Sequence, residues 1–445
     1  MSATEAADQV EDPTAAVKAS EIEVPPELVA NSLGEYVRGY VARVRGGDSG
    51  VLPVVVGLLL IALVFQAISP NHVFASPSNL VNLFQQSAVF MVLAMAMGFA
   101  LLLGEIDLSV GFTAAVGAAI TVQLVQPVTT HWSWWAAIPA GLLACAAVGA
   151  IQGTIVSRLG VPSFVVTLAG FLILRGVMLQ ILLLGPFSGY PSLSGSNGNL
   201  QTIYNLMWGT IDPVVSWIGM AIVVGLLGLW FWRRDSSRRR SGLVAPPPGL
   251  TLIKIAAIAV TGVVVVAICN VNRANNGVLE GVPWVIVIVL AIFAAWTLLL
   301  QRTKYGRYVY AIGGNAEAAR RAGIDLAGVR TIAFVLCSVT AGIGGLLYAS
   351  YLGGMSNNVD GGQLVLYAVA AAVIGGTSLF GGRGKVIHGL LGGLVIGGIY
   401  NGMYLLGLSV EWEFIVTGLV LLAAVLIDAL SRRGAGTSGP RGATA

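Results

Sequence analysis

Charge is scarce in this chain. Only 10% of its 445 residues are Asp, Glu, Lys or Arg, against about 25% in a soluble domain, which excludes an ordinary globular surface. Cysteine is scarce too. Cys145, Cys269 and Cys337 each lie in an apolar stretch and read as small core residues, so neither a disulfide scaffold nor a thiolate metal centre is expected. The three histidines, His72, His131 and His388, are far apart, and no His-Glu-x-x-His occurs. A phosphate-binding loop needs Gly, four residues, then Gly-Lys-Ser/Thr. Gly381-Gly382-Arg383-Gly384-Lys385-Val386 lacks the correctly spaced first glycine and the final hydroxyl. No Ser nucleophile with a paired base is visible. The chain is therefore expected to be non-catalytic and to bind no metal, nucleotide or cofactor of its own.

What is abundant is apolar surface. Hydrophobic residues make up 56% of the sequence, and mean hydropathy is +0.85. Apolar runs recur at the length a bilayer needs. The expected fold is all-α, a polytopic membrane protein of 10–12 spans, drawn as twelve: 52–69, 86–104, 109–127, 134–157, 164–185, 212–232, 251–270, 283–301, 331–352, 364–380, 386–407 and 412–430. Glycine, 58 of 445 residues, is well above its usual ~7% and suits helices that pack backbone to backbone.

Loop charge sets the orientation. Arg38, Arg43 and Arg45 precede the first span, and Arg158, Arg233–Arg240, Arg302–Arg330, Arg383, Lys385, Arg432 and Arg433 follow even-numbered spans. The outer loops 70–85, 128–133, 186–211 and 353–363 hold no Lys or Arg, and only Arg273 falls outside. Both termini are therefore expected in the cytoplasm. The net charge of +4 belongs to these short inner loops, so nucleic acid is not an expected partner.

Residues 1–32 read as a disordered acidic tail, 33–50 as an amphipathic helix on the inner membrane surface, 51–432 as the transmembrane domain and 433–445 as a second disordered tail. The stretch 233–249 reads as a basic inner linker touching anionic lipid. Outer loop 186–211, rich in Ser, Gly and Asn, reads as a flexible linker or a landing place for a soluble partner.

Three features carry candidate chemistry. Glu105 and Asp107 interrupt two apolar runs, and Arg175 sits in another. A charge at mid-bilayer costs about 2.5–3.5 kcal/mol on insertion scales. The three are expected to pair, Arg175 with Asp107 or Glu105, to line a translocation path, or to reach the membrane interface. Ile374–Gly382 holds too many glycines for an uninterrupted helix, so Gly375, Gly376 and Thr377 mark either a broken helix at a pathway or close helix packing. The inner loop 302–330 carries six basic and two acidic residues. In it Asn315 caps a short helix, Glu317 falls in the first turn where the dipole favours a carboxylate, and Gly323 ends it. Ala316, Ala318, Ala319 and Ala322 make that helix narrow enough to enter a groove on another protein.

Glu317-Ala318-Ala319 followed by Gly323, within Tyr310–Ile324, resembles the coupling loop of ABC importer permeases. The stretches Glu105–Gly111, Val161–Gly170, Ile374–Gly382 and Asn401-Gly402-Met403 resemble further hallmarks of the pentose/hexose permeases of the ribose/xylose/galactose class, over about residues 50–432. The added pair of spans around 233–249 resembles D-xylose permeases in particular. The resemblance implies a homodimeric pore in a bacterial cytoplasmic membrane, and a separate cytoplasmic ATPase with two nucleotide-binding halves that uses ATP and Mg. It further implies an extracytoplasmic sugar-binding protein and surrounding lipid. Gly314, Asn315, Glu317, Ala318, Ala319 and Gly323 become ATPase-coupling residues. Glu105, Asp107, Ser109, Arg175, Gly375, Gly376, Thr377 and Asn401 become residues of the path or its gate. One departure stands out. Val365-Leu366-Tyr367-Ala368 occupies the place where relatives carry Glu-Leu-Asp-Ala, which implies that this position works differently here. The competing reading is an ion-coupled secondary transporter or channel, with Glu105, Asp107 and Arg175 as its relay.

Overall fold

A computed structural model describes residues 34, 35, 38, 50–184, 190–242, 245–274 and 277–436. The expected tail 1–32, nearly all of the interfacial helix 33–50 and the end of the chain from 437 lie outside the described residues. The chain is all-α. α1 (Leu52–Ile68) leads through a 3-10 turn, Pro70–Ala75, to α2 (Pro77–Leu102), α3 (Val110–Leu124), α4 (Trp134–Arg158) and α5 (Ser163–Leu183). A short α6 (Gly198–Trp208) and strand β1 (Thr210–Ile211) precede α7 (Pro213–Arg240) and α8 (Pro248–Cys269). Strand β2 (Val282–Pro283), antiparallel to β1 with Ile211 opposite Val282, opens α9 (Trp284–Arg302). Then come α10 (Lys304–Gly314), α11 (Ala316–Arg321), α12 (Leu326–Leu352), α13 (Gly361–Ile374), α14 (Val386–Leu405) and α15 (Val410–Gly436).

Among the described residues, eight helices (α2, α4, α5, α7, α8, α9, α12 and α14) are long and apolar enough to cross a membrane, and α1, α3 and α13 are shorter apolar helices. With α15 they take up all twelve expected segments. The differences lie at the ends. α2 begins at Pro77, well before the expected 86. Ser76 accepts the Asn79 N–H at 3.3 Å and Pro77 suits the first helical position. Asn79, Gln85 and Gln86 are buried, so polarity hid this stretch from a hydropathy reading. The linker expected over 233–249 is instead largely helix, because α7 runs through its arginines to Arg240. Outer loop 186–211 contains α6, capped by Asn197, whose side chain accepts the Asn199 N–H at 2.9 Å. Leu200, Ile203 and Met207 recur on one buried face of it.

The chain divides into two compact units. One comprises Ile218–Val264. Within it Thr251 donates to Asp235 Oδ2 at 2.9 Å, Arg239 donates to the Pro246 carbonyl at 2.8 Å, and the Arg234 guanidinium lies 5.4 Å from the Trp230 ring centre.

The other unit comprises Gly50–Trp217 and Val265–Ala445. α2 is its centre: 94% of its apolar stretch is buried, against 22% for α4. A helix that is apolar all round is stable only when surrounded, and α12, α13 and α14 surround it. α12 also packs on α3 and α4. Glycine permits this closeness, since a Cβ on Gly392 of α14 would come within 1.7 Å of the Ala371 carbonyl of α13. The outer faces of α1, α4 and α5 expose Leu59, Leu63, Leu143, Ile151, Leu172 and Ile173, an apolar surface of the kind lipid covers.

Candidate functional site

α11 is built as its sequence dictates. The Asn315 side chain accepts the Ala318 N–H at 2.9 Å, and Gly323 ends the turn with φ of +79°, a left-handed conformation that costs an L side chain about 1–2 kcal/mol. Glu317 Oε2 lies 2.7 Å from Arg320 Nη2, and Arg321 Nε donates to Oε1 at 3.1 Å. The hydrogen bond from Arg320, then that from Arg321, holds the Glu317 carboxyl below the usual carboxylate range. Gly314, Glu317, Ala318 and Ala322 are exposed while Ala319 is buried. The two alanines of the Glu-Ala-Ala triplet therefore do different work, one facing outward and one packing against the spans.

The base of this segment meets the spans through backbone. A Cβ on Gly313 would lie 1.9 Å from the Leu102 carbonyl and 2.6 Å from Gly382 N. Gly382 N–H donates to that same carbonyl at 2.9 Å, and Tyr310 donates its hydroxyl proton to the Gly384 carbonyl at 2.8 Å. The end of α2, the end of α10 and the loop after α13 thus form one junction. α13 stops at Ile374, and Gly376 takes φ of +107°. The expected break at Gly375-Gly376-Thr377 is present, with Thr377 buried and its N–H donating to Ala372 O at 2.9 Å.

The stretches 105–111 and 161–170 meet at a second junction. Ser163 Oγ accepts the Ile106 N–H at 3.4 Å, and Thr167 donates to the Ile106 carbonyl at 3.2 Å. The Ser109 N–H and hydroxyl both donate to Asp107 Oδ1, at 2.9 and 2.7 Å, and Ser109 Oγ lies 3.0 Å from Gln152 Oε1. Cys337 of α12 lies 3.6 Å from Asp107 Oδ2. Asp107 and Ser109 are wholly buried in this junction. The expected pairing of Arg175 with Glu105 or Asp107 is corrected here. Arg175 lies on the exposed face of α5, and Arg330 of α12 takes its place, with Nε 3.5 Å from Glu105 Oε1. The reason is helical phase. Leu174 and Met178 face inward, which turns position 175 out. The relay that an ion-coupled carrier would build from these three residues is therefore not assembled.

Asn401 is also wholly buried. Its amide donates to Asn79 Oδ1 at 3.1 Å and to Gln86 Oε1 at 3.0 Å, while Asn79 donates back at 2.8 Å. This clasp ties α14 to α2 and aims Gln86 at a cavity of about 60 Å³. Sequence reasoning missed that cavity. It lies among α2, α12, α13 and α14, and Gln86, Tyr348, Tyr351, Gln363, Tyr367 and Tyr400 wall it. Tyr367, at the place of the missing carboxylate, donates its hydroxyl proton to Glu413 of α15, so an acid from another helix reaches the same spot. The only signal in the sequence was the number of tyrosines in otherwise apolar spans.

Residues 79–425 match the family described as branched-chain amino acid transport system, permease component. The chain is 31% identical to the xylose transport system permease protein XylH of Escherichia coli strain K12 over 399 residues, 87% of this chain and 95% of that protein. It is 34% identical to XylH of Haemophilus influenzae over 394 residues, 86% and 97% of the two chains. The ribose import permease protein RbsC of Escherichia coli strain K12 is 30% identical over 373 residues, 84% and 92%. No solved structure matches. On these matches and on its apolar helices, the chain belongs to this family of transport permease components and is a multi-pass membrane protein.

Proposed function

We propose that the chain is the membrane-spanning subunit of an ATP-driven importer that carries a monosaccharide, D-xylose or a close pentose relative, across a bacterial cytoplasmic membrane. The observation that carries this reading is the sustained identity to xylose and ribose permeases along most of the chain, despite a family description that refers to amino acids. Two copies form the pore, and an extracytoplasmic sugar-binding protein delivers the substrate. A separate cytoplasmic ATPase with two nucleotide-binding halves holds the ATP and Mg. This chain performs no covalent step.

The geometry supports a mechanical role for α11. Gly314, Asn315, Glu317, Ala318, Ala319 and Gly323 form its docking element: small exposed side chains admit a groove on the ATPase, and Asn315 and Gly323 hold the ends. Because Gly313 touches Leu102 and Gly382 through backbone, a displacement of α11 is passed to α2 and to the broken end of α13 without slack. α12 begins just after α11 and carries Arg330 and Cys337 to Glu105 and Asp107. The ATPase states then bias the spans through differential contact at α11.

The test is uptake of labelled D-xylose by cells expressing this chain with and without its ATPase and binding protein. Uptake that needs all three and survives an uncoupler is the expected result. Uptake by this chain alone, or uptake abolished by the uncoupler, would overturn it.

A further inference from the structure

The cavity among α2, α12, α13 and α14 has a chemistry of its own. None of its lining residues is charged. It combines aromatic rings with side-chain amides and phenol hydroxyls, in a region where each polar group is costly unless it has a use. Gln363 donates to the Tyr367 hydroxyl at 3.0 Å, and Gln86 and Tyr351 both line the cavity. The hydroxyls of Tyr348 and Tyr400 make no hydrogen bond within the chain among the described residues, although both side chains line the cavity. Phe90 stands edge-on to Tyr367 and Tyr400, with centroids 5.2 and 6.0 Å away, which fixes both rings. From α6, the rings of Tyr204, Trp208 and Tyr351 stack in series at 6.3 and 5.6 Å and lead to the cavity wall.

We propose that this cavity is a transient subsite for a neutral pyranose on its way through the spans, entered along the Tyr204–Trp208–Tyr351 ladder. Aromatic faces suit the C–H faces of a sugar ring, and amides and phenols suit its hydroxyls. A zwitterionic amino acid would need a cation for its carboxylate, and the lining holds none; the nearest acid, Glu413, is the acceptor of the Tyr367 hydroxyl. A volume of about 60 Å³ holds only a few waters, so the walls must part before a sugar enters. That fits a site occupied only during turnover. Asn401 acts here as a positioning residue, because its amide aims Gln86. The inference rests on the importer reading above.

The test uses the complete transporter in liposomes, with this chain, its ATPase and its binding protein, comparing the wild type with Tyr348→Phe and Tyr400→Phe. Each variant removes only a hydroxyl that makes no hydrogen bond among the described residues, so folding is kept. The expected result is that sugar moved per ATP hydrolysed falls about three- to tenfold, or that the ratio of pentose to hexose transport shifts by as much, while ATPase stimulation by the binding protein is unchanged. Unchanged transport and unchanged preference in both variants would overturn the subsite and leave the importer reading intact. A parallel loss of ATPase activity and transport would assign the tyrosines a structural role and also overturn it. Failure of the wild type to move any sugar would overturn the importer reading, and the subsite with it.

Discussion

Adjacent glycines at 313 and 314 have opposite tolerances. A Cβ on Gly313 would collide with backbone atoms of α2 and of the loop after α13, whereas one on Gly314 would meet nothing within 4 Å. Backbone cannot move aside as a flexible side chain can, and overpacking of this kind costs about 1–3 kcal/mol or more. Gly313→Ala is therefore expected to lower the melting temperature of the purified protein by several degrees and to weaken coupling. Gly314→Ala should melt like the wild type. Equal melting of the two variants would refute the junction. The alternation of small residues here was plain in the sequence. Which of two neighbouring glycines bears the contact was not, because that depends on where residue 102 arrives after a 26-residue helix.

At the scale of the element, the Asn79–Asn401–Gln86 clasp joins α2 to α14 across more than 300 positions of sequence. Asn401→Leu removes the donor to the buried Asn79 Oδ1 and Gln86 Oε1, a loss of about 1–3 kcal/mol. A lower melting temperature in detergent is the expected outcome. A variant as stable as the wild type would show that the clasp carries no net energy. α11 makes a separate prediction. Its Glu317 carboxyl is held below the usual range by Arg320 and Arg321, so any contribution of this pairing to folding is present above the unfolded carboxylate pKa and is lost only as pH falls through the depressed value. ATPase docking should therefore be flat between about pH 6 and 8. The pair is solvent-exposed and screened, so Glu317→Lys should act by placing a cation in the first turn, against the dipole. ATP hydrolysis without transport is the expected phenotype, read by paired ATPase and uptake assays. Normal uptake by this variant would count against docking at α11. The capping and helix-ending signals of α11 were legible because they act over three or four residues. The true length of α7, by contrast, was hidden because arginine is a good helix former and its charges read as a loop.

For the whole molecule, the sequence by itself determined the class. Long apolar runs require helices in lipid, since each must satisfy its own backbone. The placement of arginine orients them, and the ordered motifs carry the family resemblance that the comparisons then showed. These signals are local or additive, so a linear reading retains them. Tertiary structure alone decided which motifs meet and which charges pair. It brought stretches 105–111 and 161–170 into one junction and Gly313 against Leu102 and Gly382. It gave Glu105 to Arg330 instead of Arg175, and gathered tyrosines from three helices around one cavity. Each of these depends on helical phase and on the distance a span covers before its end meets another. A shift of one residue turns a side chain by about 100°, so such contacts are fixed only when the helices are packed.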